Sequence, residues 1–197
     1  MRIIDASFLK SLTRVGDRKG ISLPEICFVG RSNVGKSSLL NALVARKIAR
    51  TGSTPGATRL INLYGVRGES EGRRTEMVFS DFPGFGYSKV SKGVYENWQA
   101  MVEGYIIGNE WIRRVLWAFD IRRSFDDLDR MLMEWLRDNG LAFSLILTKA
   151  DKEGRGGQAR ARLFFQRLLG MEEVFLFSAK DGSGRKELLA HVGEVLA

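Results

Sequence analysis

Two short stretches carry residues whose types and spacing suit phosphate chemistry. The first, GRSNVGKS (30–37), lies between an apolar run, EICFVG, and a helical pattern, KSSLLNALVA. Its glycines let the backbone curl, so that amide N–H groups and a helix N-terminus face phosphate oxygens. In this pattern the lysine reaches the β- and γ-phosphates, and the serine hydroxyl ligates magnesium. The predicted phosphate-binding loop comprises Gly30, Arg31, Ser32, Asn33, Val34, Gly35, Lys36 and Ser37.

The second stretch, DFPGFGY (81–87), follows TEMVFSD, which has the composition of a strand. Asp81 can hold a magnesium-bound water, and the Gly84 amide can donate to a γ-phosphate. A D-x-x-G pattern is common by itself, so its order and position along the chain carry the prediction. The predicted nucleotide contacts here are Asp81, Phe82, Pro83 and Gly84.

Two later stretches predict selection of a guanine base. The carboxylate of Asp151 in TKAD can accept hydrogen bonds from N1 and the exocyclic N2 of guanine, whereas adenine would leave that acid unpaired. The stem of Lys149 can cover the base plane, and backbone amides of the later stretch SAK can contact O6. The predicted base-binding residues are Thr148, Lys149, Ala150, Asp151, Phe177, Ser178 and Ala179.

A threonine that completes the magnesium shell when a γ-phosphate is present is expected in TGSTPGATRL (51–60). This segment lies between the first predicted helix and the next strand, and its Gly, Pro and Ser content suits a switch loop. Thr54 and Thr58 both qualify on chemical grounds. The predicted contacts of this segment are Gly56, Ala57, Thr58, Arg59 and Leu60.

The elements that must position these residues alternate between apolar strand-length runs and helical patterns along the chain. This alternation predicts a mostly parallel sheet covered by helices on both faces. LINLYGV and TEMVFSD are joined by only RGESEGRR, so they form an antiparallel hairpin at one end of the sheet. The spacing of apolar residues within 1–24 predicts a short helix with Phe8, Leu9, Leu12 and Val15 on one face. The four motifs all follow predicted strands, where ligands bind in open α/β sheets, and together predict a guanine-nucleotide site.

Composition sets the class of protein and of partner. The 197 residues predict one domain, without an apolar run long enough to cross a membrane. A single cysteine, Cys27, cannot form an internal disulfide, which predicts the cytoplasm. The net charge of +8 favours an acidic partner such as nucleic acid. Residues 46–92 hold nine lysine and arginine residues against four acidic ones, so the excess lies around the two predicted switch segments.

The motifs together resemble the EngB (YihA/YsxC) family of bacterial GTP-binding proteins, in the TrmE–Era–EngA–YihA–Septin-like superfamily of GTPases. The likeness covers about residues 24–190 and is carried by GRSNVGKSSLLNAL, TPGATRLINLY, DFPGFGYSKVSK, LTKAD and FSAKDGSG. It implies a three-layer P-loop GTPase fold, with a six-stranded, mostly parallel sheet and one antiparallel edge strand. By this resemblance residues 1–23 are an N-terminal extension, residues 24–197 are the GTP-binding domain, and Thr58 rather than Thr54 ligates magnesium with Ser37.

The family further implies a role in assembly of the large ribosomal subunit and one in cell division and septation. We also expect a monomer. Phe85 follows Gly84 where Ras-like proteins have a water-positioning glutamine, so we predict slow hydrolysis and assign no catalytic side chain. By resemblance, Asn33 can ligate potassium beside the phosphates. The best candidates for contacting phosphates of ribosomal RNA are Arg59, Lys89 and Lys92.

Two other hypotheses remain open from the sequence. A kinase could use the same phosphate loop, although TKAD argues against it, and a test of phosphoryl transfer to small acceptors would decide. A guanine-nucleotide-binding scaffold at the division site, without useful hydrolysis, is also compatible with Phe85.

Overall fold

A seven-stranded sheet forms the centre of the molecule. The computed structural model describes residues 1–12, 18, 20–51, 60–85 and 100–197. Its strands are β1 (Arg2–Leu12), β2 (Glu25–Val29), β3 (Ile61–Ser70), β4 (Arg73–Asp81), β5 (Ile112–Asp120), β6 (Phe143–Thr148) and β7 (Val174–Leu176). The helices are α1 (Lys36–Val44), α2 (Asp127–Asp138), α3 (Arg155–Leu169) and α4 (Arg185–Val195), with a helical segment at 100–106 and a 3₁₀ turn at Ala150–Lys152.

The sheet order is β1-β3-β4-β2-β5-β6-β7. The strands from β4 to β7 in this order are parallel, and β3 is antiparallel to both of its neighbours, β1 and β4. β2 and β6 are buried at every position because they lie inside a sheet covered on both faces.

Two apolar cores flank the sheet, one on each face. On one side α1 and α4 cover the strands with Leu40 and Leu188. On the other side the segment 100–106, α2 and α3 contribute Tyr105, Leu136 and Phe165. The predicted three-layer α/β fold with helices on both faces is confirmed, and so is the β3–β4 hairpin.

The short helix predicted near the N-terminus is wrong. Residues 2–12 form β1, which pairs antiparallel with β3 from Arg2 opposite Glu69 to Leu12 opposite Ile61. The backbone groups along the outer edge of β3 need partners, and pairing with β1 satisfies them while burying Ala6 and Leu12. The sheet therefore has seven strands instead of six, and the antiparallel β3 lies one strand in from the edge.

The division at residue 24 stays a prediction, and Val15 lies outside the described residues. Within the described part of the chain, no helix is long and apolar enough to cross a membrane.

Candidate functional site

The four predicted motifs lie along one edge of the sheet. The phosphate loop begins after Val29 at the end of β2, and Asp81 ends β4 beside it, where the register pairs Phe28 with Asp81. Thr148 ends β6, and the Ser178 region follows β7. The carboxyl ends of parallel strands meet at the same edge, so the fold gathers groups that are far apart in sequence.

Glycine is required at the start of the phosphate loop. Gly30 has φ 144°, and a Cβ there would lie 2.3 Å from the Ala118 carbonyl oxygen. Gly35, at the N-cap of α1, also has positive φ, 103°. These two residues allow the chain to leave β2, curl and enter α1 within six residues. The N-terminus of α1 therefore points into the loop, as an anion site requires.

Lys36 lies beneath this loop rather than in solvent. Its Nζ donates to the carbonyl oxygens of Gly30, at 3.0 Å, and Arg31, at 2.9 Å. Burial lowers the pKa of Lys36 to about 8, although the negative charge of the nearby Asp81 acts to raise it. The ammonium is thus held at the loop by two neutral acceptors, and its charge is available to a phosphate.

Ser37 and Asp81 form the part of the site suited to a divalent cation. The Ser37 hydroxyl donates to one carboxylate oxygen of Asp81 at 2.7 Å. The other Asp81 oxygen is buried and has no hydrogen-bond partner within the described part of the chain. Burial raises the pKa of Asp81, while the Ser37 hydrogen bond and the charge of Lys36 lower it. An orphaned carboxylate oxygen beside a serine hydroxyl fits a magnesium ion and its water shell.

The residues after Asp81 lie directly against the phosphate loop. A Cβ on Gly84 would be 2.6 Å from Ser32 Cα and 3.0 Å from Lys36 Nζ, so a side chain there would meet the loop backbone. The Ser32 amide donates to the Phe85 carbonyl oxygen at 3.0 Å. Phe85 is 3 % exposed and packs in the core shared with the segment 100–106. In this structure Phe85 packs the segment after Asp81 against the body of the protein.

Thr148 and Lys149 connect the predicted base site to the phosphate loop. The Thr148 hydroxyl lies 2.6 Å from the Val34 carbonyl oxygen, and the Lys149 ammonium donates to the Asn33 carbonyl oxygen at 2.8 Å. Asn33 and Lys149 both have left-handed backbone conformations, with φ 61° and 56°. These two hydrogen bonds join the end of the TKAD strand directly to the phosphate loop.

Asp151, the predicted guanine ligand, is held in place by the loop after β7. Ser178 Oγ donates to one of its carboxylate oxygens at 2.9 Å. The Ser178 amide donates to the Ser183 carbonyl oxygen, and the Lys180 amide donates to Ser178 Oγ. Both amides are engaged within the loop, so the Ala179 amide is the remaining candidate among 178–180 for O6.

Sequence reasoning missed Asp120, which ends β5. Its carboxylate receives two hydrogen bonds from Arg122, at 2.9 and 2.7 Å, and pairs with the Lys149 ammonium at 2.9 Å. Burial alone would raise the pKa of Asp120, but these hydrogen bonds hold it well below its usual range. The β5–β6 register, which places Asp120 opposite Thr148, brings the acid to Lys149. A lone aspartate before a turn gives no such signal in the sequence.

Arg31 does not point into the site as a free cation. Its guanidinium forms an ion pair with Asp126, the N-cap of α2. Asp126 also pairs with Arg123, so the start of the phosphate loop is fixed to the start of α2. The side chain of Arg31 thus braces the loop in this structure, and its predicted nucleotide contact would come from the backbone.

Some of the remaining predicted contacts lie in the described part of the chain, and the others lie outside it. Phe82, Ala150 and Phe177 are buried, and Leu60 is partly exposed. Pro83 lies between Phe82 and Gly84 at the loop. The others lie outside the described residues: Thr54, Gly56, Ala57, Thr58, Arg59, Lys89 and Lys92.

Known proteins of similar sequence match this chain over its whole length. A family model described as "50S ribosome-binding GTPase" matches residues 25–149. A probable GTP-binding protein EngB from Syntrophus aciditrophicus is 41 % identical over 194 residues, covering 98 % of this chain and 95 % of that protein. Another, from Geobacter metallireducens, is 38 % identical over 200 residues, covering 100 % and 95 %.

Solved structures agree with the fold. The crystal structure of a probable GTP-binding protein EngB matches with a TM-score of 0.67 and 25 % identity, covering 87 % of this chain and 98 % of that one. Era from Aquifex aeolicus, bound to GDP and aluminium fluoride, has a TM-score of 0.74 and 22 % identity, over 90 % of this chain and 58 % of its own. The second likeness supports the fold alone.

Proposed function

The chain belongs to the EngB family of GTP-binding proteins and is a GTPase, and from this premise we propose that it is a GTP-gated switch in assembly of the large ribosomal subunit. The observation that carries the proposal is the convergence of four guanine-nucleotide motifs on one sheet edge. The family-implied role in cell division and septation forms part of the proposal. We also propose that the protein is a monomer and that it is cytoplasmic. The cytoplasmic location is supported by the buried free thiol of Cys27.

In the proposed complex, backbone amides of the phosphate loop and the N-terminus of α1 bind the phosphates. Lys36 supplies positive charge to the β- and γ-phosphates, and the Asp151 carboxylate accepts hydrogen bonds from N1 and N2 of guanine. The stem of Lys149 covers the base, with its ammonium oriented by Asp120 at 2.9 Å. The Ala179 amide donates to O6. These roles are supported by the position of the groups at the edge formed by the ends of β2, β4, β6 and β7.

Ser37 would hold the proposed magnesium ion beside the phosphates, and Thr58 would be a further ligand when GTP is present. When bound, the ion would neutralise phosphate charge. Asp81 holds a water of the shell through the oxygen that Ser37 does not use. The contact between Gly84 and the loop, close to Lys36 Nζ, supports Gly84 as the sensor of the γ-phosphate.

Hydrolysis by the protein alone is proposed to be slow. The Phe85 side chain cannot donate or accept a hydrogen bond, and it is buried, so it cannot position a water molecule. A water-positioning residue or an arginine finger contributes about 10³- to 10⁵-fold in rate. Arg31 pairs with Asp126 and does not supply such a finger in this structure. A partner or a cation therefore completes the catalytic site.

The large ribosomal subunit is the proposed partner because of the matched family and the distribution of charge. The family model carries 50S ribosome binding in its description. Basic residues outnumber acidic ones nine to four between Arg46 and Lys92, around both switch segments. We assign Arg59, Lys89 and Lys92 to contacts with phosphates of ribosomal RNA. Their position would make the contact depend on the bound nucleotide.

Single-turnover hydrolysis, measured with and without large ribosomal subunits, tests this function. We expect turnover of the free protein to stay below about 1 s⁻¹, and the subunits to accelerate it at least tenfold. A scaffold without useful hydrolysis would show the same slow rate in both conditions. Rapid turnover by the pure protein would contradict the need for a partner.

Potassium is the proposed cation, with the side-chain oxygen of Asn33 as a ligand. Asn33 is exposed in the phosphate loop, has a left-handed backbone conformation and follows Ser32, whose amide donates to Phe85. Running the same single-turnover assay in KCl and in NaCl at equal ionic strength tests this part. Faster turnover in KCl is expected, and equal rates would remove the potassium role while leaving the switch intact.

A further inference from the structure

Helix α3 carries a concentration of positive charge away from the nucleotide motifs. Its sequence, RGGQARARLFFQRLL, contains four arginines and not one acidic residue. Arg162 pairs with Glu187 of α4 at 3.6 Å. Arg160 and Arg167, in contrast, form no ion pair within the part of the chain that the structure describes. Their charge is therefore not neutralised by the protein itself.

Large apolar side chains are exposed on the same helix. Leu163 is 47 % exposed and Phe164 is 53 % exposed, while the next residue, Phe165, is buried at 3 %. A helix that only packs on a sheet would place its apolar residues on the buried face. The outward position of Leu163 and Phe164 is thus not required by the core.

Phe164 is supported from below by a packed aromatic cluster. Its ring centroid lies 5.1 Å from that of Phe165, with the planes at 80°. Phe165 in turn packs on Phe119 at 4.9 Å and on Phe125 at 6.2 Å. The exposed ring therefore packs against a ring that is buried in the core, so ordering it upon binding costs less conformational entropy than ordering an unsupported side chain.

Cationic side chains flank the exposed ring. Arg160 precedes Phe164 by four residues and Arg167 follows it by three, so all three share one side of the helix. Together with Leu163 and Leu168 they line an open depression along α3. We call these five residues the α3 face. It combines a platform for stacking with two cations beside it.

Two classes of partner would fit an exposed aromatic ring beside cations: an RNA strand or an acidic protein surface. The absence of any acidic residue from α3, together with the net charge of +8, favours an anionic partner. The exposed ring between two arginines favours RNA over an acidic protein surface, because RNA bases can stack on it. Single-stranded nucleic acid is bound by stacking of bases on aromatic rings and by cations along the backbone. We propose that the α3 face binds a single-stranded RNA segment, with a base stacked on Phe164 and phosphates contacted by Arg160 and Arg167.

This surface goes beyond the proposed switch function, because it belongs to neither switch segment. Phe164 is nine residues, or roughly 13 Å of helix, beyond the start of α3 near the base site. RNA binding by the α3 face should therefore be equal with GDP and with a non-hydrolysable GTP analogue. The switch-region contact, in contrast, requires GTP.

Fluorescence anisotropy with a labelled oligoadenylate of about 12 nucleotides tests the proposal on the full chain bound to GDP. Phe164→Ala should weaken binding by about fivefold or more, as expected for loss of a stacked base. Phe8→Ala is the matched control, because Phe8 is also 53 % exposed and also packs edge-on against a second ring, that of Tyr64. It should change the affinity by less than about twofold.

The arginines are tested through salt dependence. R160Q/R167Q should reduce the slope of log affinity against log salt by about 1.4, the value for two lost phosphate contacts on a single strand. R113Q/K186Q removes the same charge from exposed positions elsewhere and should leave most of that slope in place. Unchanged GDP affinity in all four variants would show that each is folded.

Two results would overturn the proposal. One is equal RNA affinity of F164A and F8A together with equal salt slopes of the two double variants. The other is binding of an acidic peptide, oligoglutamate, as tight as oligoadenylate and equally sensitive to F164A, which would assign the face to a protein partner. Neither result affects GTP-dependent binding of large subunits, so the two proposals fail separately.

Discussion

Replacing Asp151 by asparagine is expected to lower the affinity for GTP by about 100-fold or more. In the proposed complex both guanine donors, N1–H and N2–H, bond to this carboxylate. Hydrogen bonds to a charged group contribute about 1.5–3 kcal/mol each. The asparagine amide keeps one neutral acceptor and turns its NH2 toward the other guanine donor, so about 3 kcal/mol or more is lost. Ser178 Oγ holds the carboxylate from one side at 2.9 Å, and the side chain is only 13 % exposed, so little water can compensate.

The same substitution should reverse the base preference. Xanthine carries a carbonyl oxygen where guanine carries its exocyclic amine, and an asparagine amide at 151 can donate to that oxygen. Xanthosine triphosphate should therefore bind D151N more tightly than it binds the unchanged protein. Calorimetric titration with both nucleotides measures this exchange.

Asp138→Asn is the matched control for D151N, because Asp138 is an exposed aspartate at the end of α2. D138N should bind GTP as the unchanged protein does. An affinity of D151N for GTP within about threefold of the original, or no gain for xanthosine triphosphate, would contradict the assignment of Asp151.

Substitution of Lys36 by methionine should also weaken GTP binding by about 100-fold or more. Methionine keeps the apolar stem but removes the ammonium, which is predicted to contact both the β- and the γ-phosphate. Two charge-assisted hydrogen bonds of about 1.5–3 kcal/mol each would be lost. GDP should lose less, because it lacks the γ-phosphate.

The stability of K36M separates this loss from unfolding. The ammonium is buried at 7 % exposure, and its two acceptors are main-chain carbonyl oxygens. Losing two hydrogen bonds is offset by relief of a buried charge, so the free energy of unfolding without nucleotide should fall by no more than about 2 kcal/mol. Lys47→Met, at an exposed position after α1, is the control. Nucleotide affinities of K36M within threefold of those of K47M would refute the role of Lys36.

The central fold could be predicted from the sequence because its signals are local. β2 is apolar from Ile26 to Val29, Gly30 and Gly35 mark a loop that needs positive φ, and the following residues have a helical pattern. The hairpin followed from a connection too short for a helix. These features depend on residues near one another, so patterns of composition and spacing suffice.

The parts that were missed depend on pairing across the chain. β1 forms because it pairs with the outer edge of β3, and the sequence of residues 2–12 does not indicate that this edge is available for pairing. Asp120 acquires its role because the register places it beside Thr148, and Lys149 is the next residue. The buried pair of Arg18 and Glu25 is local in sequence, but the hydroxyl of Tyr105 that donates to Glu25 comes from 80 residues further along the chain.

The role of Gly84 was predicted from the sequence, and the structure adds the physical reason for a glycine at this position. The sequence predicted a glycine whose amide faces a γ-phosphate. The structure adds the reason that a side chain is not tolerated in this conformation, since a Cβ would lie 2.6 Å from Ser32 Cα. It also shows the Ser32 amide bound to the carbonyl of Phe85. The segment that follows Asp81 is therefore coupled directly to the phosphate loop.

The most direct test of the GTP-gated switch is co-sedimentation of the protein with large ribosomal subunits at two salt concentrations, with GDP or a non-hydrolysable GTP analogue. We expect at least about tenfold tighter binding with the analogue, and affinity that falls steeply with salt because phosphate contacts release counterions. Neutralising Arg59, Lys89 and Lys92 should remove the nucleotide-dependent part. Equal binding with both nucleotides, or binding that salt does not weaken, would contradict the account.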